Sequence, residues 1–494
     1  MKITFVHLGR EHLGIEYLSS ALKKAGHQIS LAYDSGLFGP EDNVFYIPYL
    51  ERVFNQKDKV IAKIESSNPD LVAFTIYTST YRWACEIARI IKQRMGLKTV
   101  FGGIHASLVP EVVIKNDVVD FVIVGEGELA LLDLVNALSS KKTEYQIPNL
   151  WYKKEEKIIK NSLRPLIENL DSLPFPDKEL FENDINYKDD YVIMASRGCV
   201  FNCSYCCESF MNRLYHNGFY RRRSIDSIIE ELRIMKKRYR FREVMFNDAL
   251  FFTDKAWLEE LLRWYRKEIG VPFRCFGKVT YFSEELGRLL KENGCYCIEF
   301  GMQTVNEPLK RRVLNRYETN QRAQETFRLC DRLKLHYDID HMFGLPGEEE
   351  EDYILGSKFY SQLRYLNRIK CHNLTYFPKM EILESAQEEG RLDKKEIVDI
   401  EEGNIEDFFH CNSFKDETMI RINKNFQVFY KILPLLPSVL VSWILKRKLY
   451  RKFYLIPSFV VIFLQLLVAL RSRDYRYIIY FKYYPLRIRR SISR

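Results

Sequence analysis

Along residues 1 to about 140, short apolar runs alternate with stretches of helical period. Ile3 to Val6, Ile29 to Tyr33, Leu71 to Ile76, Thr99 to Phe101 and Phe121 to Val124 read as strands. Glu16 to Lys24, Arg82 to Gln93 and Leu129 to Leu138 read as the helices between them. Regular alternation of this kind predicts an α/β domain, a doubly wound and mainly parallel sheet that takes ligands at the carboxyl ends of its strands. Glycines fall at those ends, Gly102-Gly103 after one strand and Gly125-Glu126-Gly127-Glu128 after the next. Lacking a Cβ, they let backbone come close to a ligand.

The pattern then breaks. Residues 141 to 190 are polar and charged as far as Lys160 and later carry Asp171-Ser-Leu-Pro-Phe-Pro-Asp177, whose two prolines forbid a helix. A connector is expected there, with a short hairpin and an extended crossing. From 191 to 395 the alternation resumes, with Tyr191 to Ala195 as its first strand. Helix Ile225 to Arg238 precedes strand Glu243 to Phe246, helix Trp257 to Lys267 precedes strand Phe273 to Gly277, and helix Glu284 to Asn293 precedes strand Cys297 to Phe300. Two further pairs follow, Arg322 to Leu333 with Tyr337 to Met342, and Glu350 to Leu363 with Asn373 to Tyr376. About six such units predict a barrel-like domain whose active residues cluster at strand carboxyl ends.

The chemistry is concentrated just after the first of these strands. Ser196-Arg-Gly-Cys-Val-Phe-Asn-Cys-Ser-Tyr-Cys-Cys-Glu208 places Cys199, Cys203 and Cys206 in a Cys-x3-Cys-x2-Cys array. Three thiolates within eight residues can fold round a small metal centre, and three ligands to a four-iron cluster leave one iron open. The alternative, a zinc knuckle, wants a fourth ligand at matched spacing, which the adjacent Cys207 is badly placed to supply.

The array, with the aromatic Tyr205 just before its third cysteine, resembles the radical S-adenosylmethionine (radical SAM) superfamily. The resemblance implies a partial TIM-type (β/α)6 barrel in which Cys199, Cys203 and Cys206 ligate a 4Fe-4S cluster and S-adenosyl-L-methionine chelates the fourth iron. One electron from a donor such as flavodoxin or ferredoxin would then yield a 5′-deoxyadenosyl radical. Asn247-Asp248, Glu299 and Gln303 in Ile-Glu-Phe-Gly-Met-Gln-Thr, His341, Gly-Leu-Pro-Gly-Glu (344 to 348) and Tyr376 resemble further patterns of that family. It implies S-adenosylmethionine contacts for Tyr205, Asp248, Glu299 and Gln303. Arg221-Arg222-Arg223 could meet a carboxylate or phosphate but is more simply a solvated run.

The N-terminal wording, Phe101-Gly-Gly-Ile-His-Ala-Ser107 followed by Val119-Asp-Phe-Val-Ile-Val-Gly-Glu-Gly-Glu128, resembles the cobalamin-binding domain fused to many radical SAM enzymes. By that likeness Tyr77, Thr78, Ser79, Gly102, Gly103, Gly125, Glu126 and Gly127 would line the cobalamin pocket, and His105 would contact the corrin or cap a helix. The cobalt-ligating pattern Asp-x-His-x-x-Gly is incomplete here, since the loop reads Arg10-Glu11-His12-Leu13-Gly14-Ile15. His12 is therefore read as a helix-start residue more than a ligand, for want of a carboxylate to fix its tautomer.

Charge changes the picture only at the end of the chain. The net charge is +9, yet residues 421 to 494 hold 16 Lys and Arg against the single acid Asp474, so residues 1 to 420 are acidic overall. Basic character apart from the site argues against a nucleic-acid substrate. After an acidic stretch from Glu396 to Asp407, the region to 494 turns apolar, aromatic and basic: Ile432 to Leu445, Lys446 to Lys452, the uncharged Phe453 to Leu470, then Arg471, Arg473, Arg476 and Arg487 to Arg494. Three readings stay open, namely docking on an anionic membrane surface, a membrane hairpin, and a helix packed on the barrel. The first makes a small hydrophobic or lipid-like substrate the leading expectation.

The eleven cysteines form no disulfide framework and no secretory signal stands at the N-terminus, so a reduced, cytoplasmic protein is expected, at most peripheral to the membrane. Together these features predict a cobalamin-dependent radical SAM enzyme that methylates an unactivated carbon. Ring formation or rearrangement with cobalamin in another role is the alternative. A tRNA methylthiotransferase would need a second cluster from N-terminal cysteines, of which Cys85 is the only one before Cys199. A non-catalytic cobalamin sensor would not need the array.

Overall fold

The computed structural model describes residues 1–494 apart from 43–46, 217, 406–415, 473, 475 and 494. Glu406, Asp407, Arg473 and Arg494 of the tail motifs lie outside the described residues.

Strands β1 (Lys2–Leu8), β2 (Gln28–Asp34), β3 (Leu71–Thr75), β4 (Lys98–Gly102) and β5 (Phe121–Ile123) form a parallel sheet in the order β2-β1-β3-β4-β5. Neighbouring residues along these strands serve opposite faces: Phe5, Ala73 and Val100 join one apolar core, and Val6, Val72, Phe74 and Phe101 the other. Both faces are covered, which is why the strands read as unbroken apolar runs. The strand order reverses between β1 and β3, and an open sheet of this order takes its ligand in the crevice there.

The expected hairpin is present as β6 (Leu150–Lys154) and β7 (Lys157–Lys160), but it extends the N-terminal sheet, with Phe121 of β5 opposite Tyr152. The rest of the connector ties the two halves of the chain together. Buried Lys178 pairs with Glu16 at 3.0 Å in helix α1 (Leu13–Lys24) and donates to the Val192 carbonyl at 3.0 Å.

Six parallel strands make the second sheet: β8 (Tyr191–Ile193), then, beyond the short pair β9 (Ser196–Arg197) and β10 (Arg221–Arg222), β11 (Val244–Phe246), β12 (Phe273–Gly277), β13 (Cys295–Gln303), β14 (His336–Phe343) and β15 (Leu366–Asn373). Each pairs with the next in sequence, and β8 and β15 are the two edges, so the barrel is partial. The last strand lies earlier than expected, at 366–373 and not 373–376. Its alternate residues Arg368 and Lys370 are charged and pair with Asp338 and Glu299 across the sheet, so the segment lacks the apolar run that marks a strand.

The C-terminal region covers the open edge. Helix α4 (Glu417–Ile432; α2 is Cys207–Leu214 and α3 Glu350–Tyr360) buries Phe426, Phe429 and Tyr430 completely. The Tyr430 ring lies 4.8 Å from His341, its hydroxyl donates to the Tyr353 carbonyl at 2.9 Å, and Gln427 Nε2 donates to Asn373 on β15 at 2.7 Å. Of the three readings of the tail, packing on the barrel describes this helix. Helix α5 (Ser438–Lys446), a 3-10 turn (Leu449–Leu455) and helix α6 (Ser458–Ser472) follow. Among the described residues no single helix is long and apolar enough to cross a membrane; the turn and α6 reach that length and apolarity only as a pair, bent by 111°. Helix α7 (Arg476–Ser493) begins with Arg476, whose buried guanidinium reaches Asp338 of β14 at 2.9 Å and Asp474 at 2.5 Å.

The Gly344-Leu-Pro-Gly-Glu348 stretch is explained by its last residue. One oxygen of buried Glu348 accepts from the Gly344 and Leu345 N–H groups at 2.7 and 3.0 Å and from the Tyr353 hydroxyl at 2.8 Å. Burial pushes its carboxyl up to about 8, which favours the protonated form. Glu348→Gln, which keeps the accepting oxygen, is expected to leave the unfolding midpoint in denaturant almost unchanged. Glu348→Ala strands two buried N–H groups and is expected to cost about 2–5 kcal/mol.

Candidate functional site

A cavity of about 600 Å³ lies between the carboxyl ends of the N-terminal sheet and those of the first barrel strands. Gly102, Gly103 and Gly125 to Gly127 line one side. Ser196, Arg197, Gly198, Asn247 and Asp248 line the other, and Phe5, Leu18, Leu131, Met194, Met211 and Phe276 make apolar wall. Two of these glycines, Gly103 and Gly125, stand where a side chain would clash or be strained. Gly103 has φ +95°, and a Cβ there would lie 3.0 Å from the backbone N and O of Ile76. Gly102 beside it, with nothing nearer than 3.9 Å to an added Cβ, leaves the end of β4 open to the cavity, which suits the close approach of a group such as cobalamin.

The cysteine loop leaves the cavity wall at Gly198 and is pinned by hydrogen bonds from both flanks. Antiparallel pairing of Ser196 with Arg222 and of Arg197 with Arg221 holds its start, and Cys206 caps α2. Asn212 of α2 donates to the Cys199 carbonyl at 2.7 Å, the Ser204 N–H donates to the Leu314 carbonyl at 3.2 Å, and Asn315 donates to the Asn202 carbonyl at 2.7 Å. Cys199, Cys203 and Cys206 are free and partly exposed on this loop. Burial pushes the Cys199 and Cys206 thiols up, so the charge of a bound iron centre is what would hold them as thiolates. Among the described residues no three His, Cys, Asp or Glu side chains converge on one point as a single ion demands. In a four-iron cluster each of three cysteines takes a different iron.

The two sides of the cavity are locked by charge. Arg197 reaches Glu126 at 3.2 Å and Glu128 at 2.7 Å, and Arg221 reaches Glu126 at 2.8 Å. The Tyr215 hydroxyl accepts from the Glu126 N–H at 3.1 Å, and a Cβ on Gly125 would sit 1.9 Å from that same oxygen. Gly125 is thus required by the partner domain, and Glu126 serves the domain contact. Burial alone would raise the Glu126 carboxyl, but the Arg221 hydrogen bond, the Arg197 charge and the Ile167 N–H outweigh it and hold it below the usual 4.5. The lowered value makes the clamp fully stabilising above about pH 4.5 and weaker as pH falls through the folded value. Glu126→Ala, which leaves Arg221 buried and unpaired, is expected to cost about 3–5 kcal/mol in denaturant unfolding and to speed proteolytic nicking of the connector.

The arginine run is therefore not solvated: Arg221 meets Glu126, Arg222 meets Asp254 at 2.9 Å, and Arg223 meets buried Glu231 at 2.5 Å.

The remaining sequence candidates divide. Asp248 faces the cavity, but its carboxylate accepts from the Ala195 N–H at 3.3 Å and the Ser196 hydroxyl at 2.5 Å, holding the backbone that launches the cysteine loop. Burial pushes it up to about 6. Tyr205, Glu299 and Gln303 lie off the cavity, towards the barrel interior. Arg316 connects the first to the strand of the other two, donating to the Tyr205 hydroxyl at 3.1 Å and the Gly301 carbonyl at 2.5 Å. Glu299 is paired with Lys370. Gln303 holds φ +63° where β13 slips register, a conformation costing on the order of 1–3 kcal/mol and so a sign of an imposed side-chain direction.

Tyr77, Thr78, Ser79 and His105 do not line the cavity. His105 is fully buried, its Nδ1 bonded to the Thr78 hydroxyl at 3.1 Å and its ring 4.7 Å from Tyr81, so it packs in the domain core. His12 does line the cavity and starts α1: its Nδ1 accepts from the Ile15 N–H at 3.2 Å. Burial lowers its pKa to about 4, and with Nδ1 accepting that hydrogen bond the neutral ring carries its proton on Nε2. His341 is buried under Tyr360 and Tyr430, and Tyr376 is buried.

Sequence reading missed Lys278, Arg316 and Glu318. Lys278 Nζ lies 3.2 Å above the Phe201 ring of the cysteine loop and 3.7 Å from Glu318, and Arg316 pairs with Glu318 at 2.6 Å. Nothing in their local wording marks them, because they reach the loop from strands and turns far along the chain.

Comparison with known proteins agrees with this arrangement. The B12 binding domain family matches residues 9–135, and the radical SAM superfamily matches residues 193–354. An uncharacterized methyltransferase of Pyrococcus horikoshii is 30% identical over 357 residues, covering 70% of this chain and 76% of that protein. The cytidylyl-2-hydroxyethylphosphonate methyltransferase of Streptomyces wedmorensis is 22% identical over 383 residues, covering 68% and 69%. The hopanoid C-3 methylase of Methylococcus capsulatus is 24% identical over 321 residues, covering 61% and 55%. The radical SAM methyltransferase TsrM of Kitasatospora setae, solved with cobalamin and a [4Fe-4S] cluster, superposes with a TM-score of 0.61 at 18% identity over 78% of each chain, a likeness of fold. With both domain families matched in order, and with the Pyrococcus methyltransferase covered over three quarters of its length, this chain belongs to the cobalamin-dependent radical SAM methyltransferases.

Proposed function

We propose that the enzyme methylates an unactivated carbon of a small hydrophobic, lipid-like molecule. The observation that carries this reading is the cavity itself: of its charged lining groups, Glu126, Glu128, Arg197 and Asp248 are occupied with one another or with backbone, Glu208 keeps a buried oxygen without a partner among the described residues, and much of the remaining wall is apolar. The hopanoid methylase among the relatives supports the substrate class.

In this reading Cys199, Cys203 and Cys206 hold the 4Fe-4S cluster, the ends of β4 and β5 hold cobalamin, and Tyr205, Asp248, Glu299 and Gln303 serve S-adenosylmethionine. Bound together, these groups supply a 5′-deoxyadenosyl radical and a transferable methyl group. The chain's own task is to hold and to exclude. Glu126 clamps Arg197 and Arg221 so that the two sides of the cavity keep their separation, Asp248 fixes the strand end from which the cysteine loop departs, and Phe5, Leu131, Met194 and Phe276 keep water from the reacting carbon. The reductant is a flavodoxin- or ferredoxin-like donor.

The test is anaerobic reconstitution with iron, sulfide and hydroxocobalamin, then incubation with reductant, methyl-labelled S-adenosylmethionine and a total lipid extract. Label in the solvent-extractable lipid fraction together with 5′-deoxyadenosine is the expected result. 5′-Deoxyadenosine without label in any lipid would replace lipid methylation by a ring-forming or rearranging reaction.

A further inference from the structure

We infer that the outer face of the C-terminal elbow, formed by α5, the turn after it and α6, is a docking surface for an anionic lipid bilayer. It deepens the lipid reading of the cavity by naming the membrane as the partner through which such a substrate is reached, and for that purpose it rests on that reading.

Helix α6 is apolar on both sides. Val461, Val468 and Ala469 face the protein, while Phe459 (73% exposed), Phe463 (59%), Leu467 and Leu470 (60%) recur at the spacing of one helical stripe and face outward. The preceding turn adds Tyr454 and Leu455, and α5 adds Val439 (80%) and Trp443. A run of large exposed apolar side chains over some thirty residues exceeds what a monomer's surface ordinarily carries and marks a contact site.

Charge selects the occupant. Lys446, Arg447, Lys448 and Lys452 are exposed beside these residues, none of them has a salt bridge among the described residues, and no Asp or Glu occurs between Glu417 and Asp474. A protein partner wide enough to cover the elbow would have to supply acid at each of these positions, whereas an anionic leaflet does so everywhere along the edge of its apolar layer. Tyr and Trp at the border suit the headgroup level. The 111° bend between the turn and α6 turns the apolar stripe at an elbow, the shape we assign to a segment lying in the interface.

The full-length chain is mixed with phosphatidylcholine vesicles with or without one third phosphatidylglycerol and sedimented, with molar mass in solution measured in parallel. Wild type is expected to be a monomer that sediments with the anionic vesicles at least about tenfold more tightly than with neutral ones, the difference shrinking with salt. Phe459→Asp with Phe463→Asp is expected to abolish sedimentation with an unchanged circular dichroism spectrum and thermal midpoint, since both side chains point outward. Ile234→Asp, exposed on a barrel helix, should bind as wild type does. Failure of wild type to bind, equal binding to neutral vesicles, or a dimer that the double variant splits would overturn the proposal, the last by assigning the face to a second copy. The assay needs no cofactor or acceptor, so its failure is separate from failure of lipid methylation.

Discussion

Replacing Cys203 and Cys206 together by alanine will abolish iron uptake and S-adenosylmethionine cleavage while leaving cobalamin affinity within about threefold of wild type. The loss follows from ligand count, because one remaining thiolate does not hold a four-iron cluster. Retention of cobalamin follows from where the loop gets its shape. It is held by backbone acceptors that Asn212, Ser204 and Asn315 supply or meet, none of which depends on the cysteine side chains, and the glycine floor belongs to the other domain. Iron and sulfide content, 5′-deoxyadenosine formation and a cobalamin absorbance titration read the three quantities separately. Continued cleavage in the variant would sink the radical reading. Loss of cobalamin as well would place the cysteine loop in the cobalamin pocket.

The second large effect is expected far from that site, at the base of the barrel. Arg476→Met will lower the stability of the chain to denaturant by about 3–5 kcal/mol, because it leaves a buried carboxylate without its countercharge. Asp338 would keep Arg368 at 2.9 Å and the amide of Asn367 at 3.0 Å, but Asp474 would lose the guanidinium that it holds at 2.5 Å. The effect depends on pH with a definite sign. Although burial opposes it, the Arg368, Arg476 and Lys370 charges hold the Asp338 carboxyl well below its usual 3.8. A carboxyl with a lowered folded pKa stabilises fully above the unfolded value and ceases to do so as pH falls through the folded one. Wild type and variant should therefore differ fully above about pH 4 and converge in stronger acid. Denaturant midpoints measured across that range check it, and a difference that grew in acid would refute the assignment. The same packing makes a chain cut near residue 420 a poor probe of membrane contact, since the cut removes Phe426, Phe429 and Tyr430 from the core. Point changes on the exposed stripe separate the two roles of the tail.

Much of the candidate site could be read from the residues because its signals are local. The cysteine spacing, the glycines at strand ends and the apolar runs of a sheet covered on both faces each occupy a few consecutive positions. What could not be read shares another property. The β15 strand is disguised by Arg368 and Lys370, charges that make sense only opposite Asp338 and Glu299. Glu126 reads as part of a ligand loop until Arg197 and Arg221 are brought against it, and His105 reads as a corrin contact or a helix cap until Thr78 and Tyr81 enclose it.

The sequence by itself determined the two α/β units, the order in which they occur, the spacing of the cysteine array and the change of character near residue 420. Those follow from periodicity and spacing, which chain connectivity alone preserves. Only the tertiary structure decided which charges neutralise one another and which face of the tail is covered. Arg476 lies 138 residues from Asp338, and the worth of that pair comes from exclusion of water at the point where they meet, a property of the closed fold that neither residue carries alone.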